Sequence, residues 1–166
     1  MLTIRPATRD DVRLMLDFIR GLAEYERAPE AAVATEADLL RDGFGPQPKF
    51  HCVIAEWDGE PAGFAFYFYN YSTWRGRPGI YLEDLFVWPR LRGKGIGKAL
   101  LTHLAQIALR EKCGRFEWAV LDWNQPAIDF YESLGARRMR EWIIMRVEGE
   151  DIAKLAENTK SVFRNS

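Results

Sequence analysis

Apolar and polar positions alternate from Leu2 to Arg5 before Pro6, which predicts a short strand. Thr8-x-x-Asp11 has the spacing of a helix cap. Val12, Met15, Leu16, Ile19, Leu22 and Ala23 then recur at helical intervals and mark one core-facing stripe. A second capped segment, Thr35 to Asp42, stops at Gly43, with a flexible connection around 27–34 before it. Phe50 to Trp57 and Ala62 to Tyr69 are β-rich runs separated by Asp58-Gly59-Glu60-Pro61, a hairpin pattern, and a third strand follows from Ile80 to Val87. Residues 70–79 read either as a substrate-side loop or as an ordinary exposed connection. A helix from Gly97 to Arg110 buries Leu100, Leu101, Leu104, Ile107 and Ala108. Beyond it the pattern predicts a strand from Phe116 to Leu121, a helix from Gln125 to Leu134 capped by Asn124, a strand from Met139 to Val147 and a short helix from Asp151.

That succession is α/β, and 166 residues with 48% hydrophobic and 28% charged content suit one globular domain over 1–166. A formal net charge of −1 supplies no general attraction to nucleic acid or to an anionic membrane. No run approaches the roughly 20 apolar residues of a membrane span, and the amino terminus lacks a signal-peptide pattern, so a cytoplasmic location is expected. The placement of Cys52 and Cys113 suggests neither a disulfide framework nor a metal site. His51 and His103 have no recognisable catalytic partner in the sequence and are read as structural.

The chemistry concentrates in Arg90-Leu91-Arg92-Gly93-Lys94-Gly95-Ile96-Gly97, between an apolar strand and an amphipathic helix. Glycines at 93, 95 and 97 let backbone N–H groups approach an anion, and the helix start aims its positive dipole end at the same point. Arg90, Arg92, Lys94 and Lys98 add cationic donors. A magnesium-nucleotide loop needs Ser or Thr after Gly-Lys, whereas Gly95 and Ala99 stand there. A dinucleotide fingerprint starting at Gly93 needs glycine at 98, where Lys98 stands, although Asp122 lies about where a ribose-binding acid belongs; that reading ranks second. Coenzyme A fits best: its pyrophosphate suits the glycine amides and its separate ribose phosphate suits the surplus cations.

Arg90-x-x-Gly93-x-Gly95 between strand and helix resembles the acetyl-CoA signature of the GCN5-related N-acetyltransferases (GNAT), and Asn124-Gln125-Pro126-Ala127-x-x-Phe130-Tyr131-x-x-x-Gly135-Ala136 resembles their second motif. Nearly the whole chain is similar to the spermidine/spermine (diamine) and thialysine acetyltransferases, through Ile4-Arg5-Pro6-Ala7-Thr8, Tyr25-Glu26, Asp42-Gly43-Phe44-Gly45, Tyr81-Leu82-Glu83-Asp84 and Asp122-Trp123-Asn124. The resemblance implies a single-domain fold with a mixed, mostly antiparallel central sheet flanked by helices and a central strand splay. It also implies acetyl-CoA as cosubstrate, no metal, and a homodimer whose partner completes each site.

The resemblance further implies roles. Glu83 corresponds to the glutamate that binds the amine and acts as a water-relayed base, while Asp84, expected on the opposite sheet face, is read as structural. Backbone groups of Leu85, Phe86 and Val87 face the acetyl oxygen; Gly93 to Lys98, including Ile96, hold the cofactor, with Asn124, Pro126 and Ala127. Tyr131 matches the acid that protonates the leaving thiolate. Tyr25, Glu26 and Trp74 match substrate-contacting positions. Ser72-Thr73-Trp74 departs from the Asp-Pro-Trp run of the diamine enzymes, which leaves small diamines and thialysine-like amino acids beside polyamines as substrates. A protein-lysine acetyltransferase and a non-catalytic acetyl-CoA sensor are the rival functions.

Overall fold

A computed structural model of the chain describes residues 1–157, which divide into two compact units, 1–123 and Asn124 onward. The first unit contains β1 (Leu2–Pro6), α1 (Val12–Tyr25), α2 (Glu36–Gly43), β2 (His51–Trp57), β3 (Glu60–Ser72), β4 (Arg77–Val87), α3 (Ile96–Arg110) and β5 (Arg115–Trp118). The second contains α4 (Gln125–Ser133) and α5 (Glu150–Glu157).

The five strands form one mixed sheet in the order β1-β2-β3-β4-β5. The first three pairings are antiparallel and β4 with β5 is parallel. Thr8 and Asp11 cap the 3-10 turn Arg9–Asp11 that leads into α1, and Arg5 fixes Asp11 through hydrogen bonds of 2.8 and 2.9 Å. Its buried stripe, Val12, Met15, Leu16 and Phe18, packs with Leu39 of α2 against Cys52, Ile54, Phe64 and Phe86 of the sheet. Val53, Ala55, Ala65 and Leu82 alternate to the other face, where Leu100 and Leu104 of α3 are fully buried.

Two contacts set the position of α1 over β4. Phe18 stacks on Phe64 at 5.1 Å and lies 5.2 Å from Trp88. A Cβ at Gly21 would come within 2.7 Å of the Phe86 ring, so the absent side chain lets the helix approach the strand. The carboxyl end of α1 is thereby brought toward the carboxyl end of β4.

Three segments differ from the sequence pattern. Residues 70–79 are not a long loop: β3 runs on to Ser72 and β4 starts at Arg77, because cross-strand pairing from Asn70–Gly79 to Ser72–Arg77 continues the ladder. The fifth strand is four residues and ends at Trp118, not Leu121. Met139–Val147 is not a strand. It pairs with no described strand and exposes Trp142, Ile143, Ile144 and Met145 by 65–86%. Strand propensity needs a neighbouring ladder to become a strand.

Candidate active site

The turn from β4 to α3 is anchored at both ends by apolar burial, with Leu91 8% and Ile96 1% exposed. Between them Gly93 and Gly95 have φ of +77° and +79°, a region side chains disfavour, and Gly95 caps the amino end of α3. A Cβ added at Gly93, Gly95 or Gly97 would meet nothing within 4 Å. These glycines therefore border open space, as a backbone cradle for an anion requires. The residues fit the coenzyme A pyrophosphate suggested by the sequence.

The four basic residues are not equivalent. Among the described residues the side chains of Arg90 and Lys98 make no hydrogen bond or ion pair, and Lys94 Nζ lies 5.3 Å from the Trp57 ring centre. Arg92 turns inward: its Nε donates to the Val87 carbonyl at 3.1 Å, and its guanidinium carbon lies 4.6 Å from the Tyr25 ring centre and 5.7 Å from that of Phe86. One arginine thus ties the cradle to the end of α1. Tyr25 also lies 6.5 Å from Trp123, over which Arg27 is placed at 4.2 Å.

Parallel pairing between β4 and β5 covers Gly79 to Leu82 only. β5 ends at Trp118, so from Glu83 to Val87 the same edge of β4, which carries Leu85, Phe86 and Val87, has no partner among the described strands. Just past the last β5 pairing β4 carries a bulge: Phe66 is opposite Asp84 and Tyr67 is opposite Leu82, leaving Glu83 as the extra residue. The bulge breaks the strict alternation behind the expectation that Glu83 and Asp84 face opposite ways.

Glu83 is exposed and Asp84 is partly buried. Burial, reinforced by the charges of Glu83 and Glu26, pushes the Asp84 carboxyl up to about 7. Burial also raises that of Glu26. The charges of Glu83 and Glu26 therefore both act on Asp84, beside the unpaired edge of β4. The sequence pattern, which reads Asp84 as structural, carries no sign of this coupling beyond a second acid inside an otherwise apolar strand.

Trp74 is placed elsewhere. It sits in the turn between β3 and β4 and is 91% exposed. Six residues of strand separate Arg77, just past that turn, from Glu83, or about 20 Å at the usual rise. Within one chain the structure brings the charge of Glu26 to bear on Asp84 and sets Tyr25 against Arg92 of the cradle, with Trp74 remote from both acids of β4.

In the second unit, the Asn124 side chain accepts from the Ala127 N–H at 3.4 Å and caps α4, with Pro126 in the first turn. Asn124 is 8% exposed. Tyr131 is half-buried on the same helix, its ring centre 5.5 Å from that of Phe130. Burial raises both thiols, Cys52 most strongly, so both are protonated at neutral pH. Among the described residues no group of three or more His, Cys, Asp or Glu is arranged to hold a metal, and no helix is long and apolar enough to cross a membrane.

Residues 15–136 match the sequence model of the acetyltransferase (GNAT) family. A thialysine N-epsilon-acetyltransferase of Sus scrofa is 44% identical over 164 residues, covering 92% of this chain and 96% of that protein. A human spermidine/spermine N(1)-acetyltransferase-like protein 1 is 37% identical over 92% of this chain but only 23% of its own length. The solved structure of an integron cassette protein from V. cholerae superposes with a TM-score of 0.80 at 30% identity, covering 95% of this chain and 98% of that one. A β4 that runs on past the end of its parallel neighbour, a glycine cradle opening α3 and these matches together establish that the chain belongs to the acetyltransferase (GNAT) family and is an N-acetyltransferase.

Proposed function

We propose that the protein moves an acetyl group from acetyl-CoA to the terminal primary amine of a small cationic substrate, a thialysine-like amino acid or a short diamine, by direct attack within a ternary complex. The observation that carries this reading is the carboxyl trio Glu26, Glu83 and Asp84, beside the unpaired edge of β4 that leads into the glycine cradle. Clustered carboxylates attract an ammonium ion, and the matching relative acts by name on thialysine. Ser72-Thr73 in place of an acidic turn, together with higher identity to the thialysine enzyme than to the polyamine-named protein, favours a short substrate.

An alkylamine with a pKa near 10.4 must lose a proton before it can attack. Glu83 holds the ammonium and relays its proton through water; Asp84, whose carboxyl is pushed up to about 7, is poised to accept a proton near neutrality. Acetyl-CoA supplies an activated thioester. The N–H groups of Gly93, Gly95 and Gly97, with Arg90, Lys94 and Lys98, bind its phosphates, and strand amides along Leu85 to Val87 stabilise negative charge developing on the acetyl oxygen. Tyr131, on the strength of its motif, holds the proton for the leaving sulfur. Trp74, remote from Glu83 in its own chain, acts on a partner subunit's substrate in a homodimer.

The test is CoA release from acetyl-CoA with thialysine, ornithine, putrescine, spermidine and a lysine peptide, for the native protein and Glu83→Gln. The proposal expects thialysine or a short diamine to give the highest kcat/KM, and Glu83→Gln to lower turnover while acetyl-CoA binding persists. Binding of acetyl-CoA without turnover of any amine would instead establish a sensor, and turnover of the peptide alone a protein acetyltransferase.

A further inference from the structure

A cavity of about 500 Å³ lies in the first unit, along the second half of α3, beyond the glycine cradle. Along that helix its lining runs from His103 to Arg110, so its nearest α3 residue stands eight positions, or roughly 12 Å, from Gly95. The cavity opens where β1 stops at Pro6 and leaves the start of β2 at the sheet margin. Its walls are apolar and aromatic: Phe44, Phe50, Val53, Tyr67 and Ile107. Phe50 lies 6.4 Å from Phe44, edge to face, and Tyr67 is 6% exposed.

Its polar lining consists of His51, His103 and Arg110, together with the buried Cys52 thiol and the Tyr67 hydroxyl. His51 is held by rings, 5.4 Å from Tyr67 and 5.5 Å from Tyr69. Among the described residues His51, His103 and Arg110 make no hydrogen bond or ion pair through their side chains. No carboxylate lines the cavity. Asp11 is engaged by Arg5, and Glu111, whose charge reaches Tyr67, stands outside the lining. Three nitrogen-bearing side chains, His51 and His103 part-buried and Arg110 exposed, therefore line an aromatic pocket whose only fixed charge is positive.

We infer that this cavity is a second binding site, for a small carboxylic acid with an aromatic body: the ring enters between Phe44, Phe50 and Tyr67, and the carboxylate meets Arg110 and the imidazoles of His51 and His103. The size and the mixture of apolar wall with few polar groups are those of small-ligand sites. A planar guanidinium pairs with a carboxylate through two parallel hydrogen bonds, and imidazole N–H groups supply the remainder. None of these residues belongs to the acetyl-transfer machinery assigned above, so the inference stands independently of the proposed substrate.

The probe is 3-phenylpropionate, with 3-phenylpropanol as its neutral counterpart, titrated into the full chain saturated with CoA so that the cofactor cradle is occupied. Calorimetry gives affinity, and the His51 and His103 ring-proton resonances report location. The acid is expected to bind with a Kd below about 10 mM, to shift both histidines and to weaken at least about ten-fold in Arg110→Gln, while the alcohol binds at least about ten-fold more weakly. Ile107→Trp, which fills the cavity, is expected to abolish binding with basal acetyl transfer unchanged. Absence of binding, equal binding of acid and alcohol, or unchanged affinity in a folded Arg110→Gln protein overturns the inference.

Discussion

The guanidinium carbon of Arg92 lies 4.6 Å from the centre of the Tyr25 ring while its Nε donates to the Val87 carbonyl at 3.1 Å. A residue of the cofactor turn therefore positions a residue of the proposed substrate pocket. Cation–π contacts contribute about 0.5–2 kcal/mol. Arg92→Met and Tyr25→Leu should each raise the KM for the amine by about 3- to 30-fold. The double variant should lose less than the two losses combined, because both remove one shared contact. A double-mutant cycle on kcat/KM decides: full additivity would show that the two side chains act separately.

Gly95 and Gly97 separate backbone strain from ligand approach. Gly95 has φ of +79° and Gly97 lies within α3. Gly95→Ala should destabilise the fold by about 1–2 kcal/mol, whereas Gly97→Ala should be neutral or stabilising. Gly95→Asp should also place an anion against the pyrophosphate and sharply weaken acetyl-CoA binding. Denaturant midpoints and calorimetry check these together; unchanged acetyl-CoA affinity in folded Gly95→Asp would remove the cradle assignment.

Asp84 makes the site pH-sensitive. Its folded carboxyl titrates at about 7, above its ordinary 3.8, so the folded state holds a proton that the unfolded chain has released. This group's contribution to stability is fully present below pH 3.8 and is lost as pH rises through 7. Asp84→Asn should therefore raise Tm by roughly 2–6 °C at pH 8 and by less at pH 5. The same substitution should lower amine turnover and flatten the limb of the kcat/KM profile near pH 7. Thermal scans and kinetics at matched pH values test both halves.

Tyr131→Phe removes only a hydroxyl from a half-buried side chain of α4. The fold and most acetyl-CoA affinity should persist, while kcat falls by roughly 10²- to 10⁴-fold, as for loss of a general acid. Rapid-quench measurement of the transfer step checks this, and an unchanged step would leave Tyr131 as a packing partner of Phe130.

Local pattern carried much of the fold. The helical stripe of α1, the Thr35 cap of α2, the hairpin at Asp58-Gly59 and the glycine turn after β4 were all legible, because each depends on side chains a few positions apart. Burial of Leu91 and Ile96 on either side of the glycines follows the same local logic. Segment 139–147 shows the limit of such reading: its composition suits a strand, but a strand exists only where another edge receives its hydrogen bonds. The bulge at Glu83 was equally hidden, since it arises from registering β3 against β4 over a long antiparallel pairing. Tertiary structure alone decided that Asp84 shares a field with Glu26 and Glu83, that Arg92 lies over Tyr25, and that the start of β2 and the end of α3 enclose a cavity. Each joins residues distant in sequence, and electrostatic coupling and enclosure depend on distances through space, which side-chain periodicity along the chain does not encode.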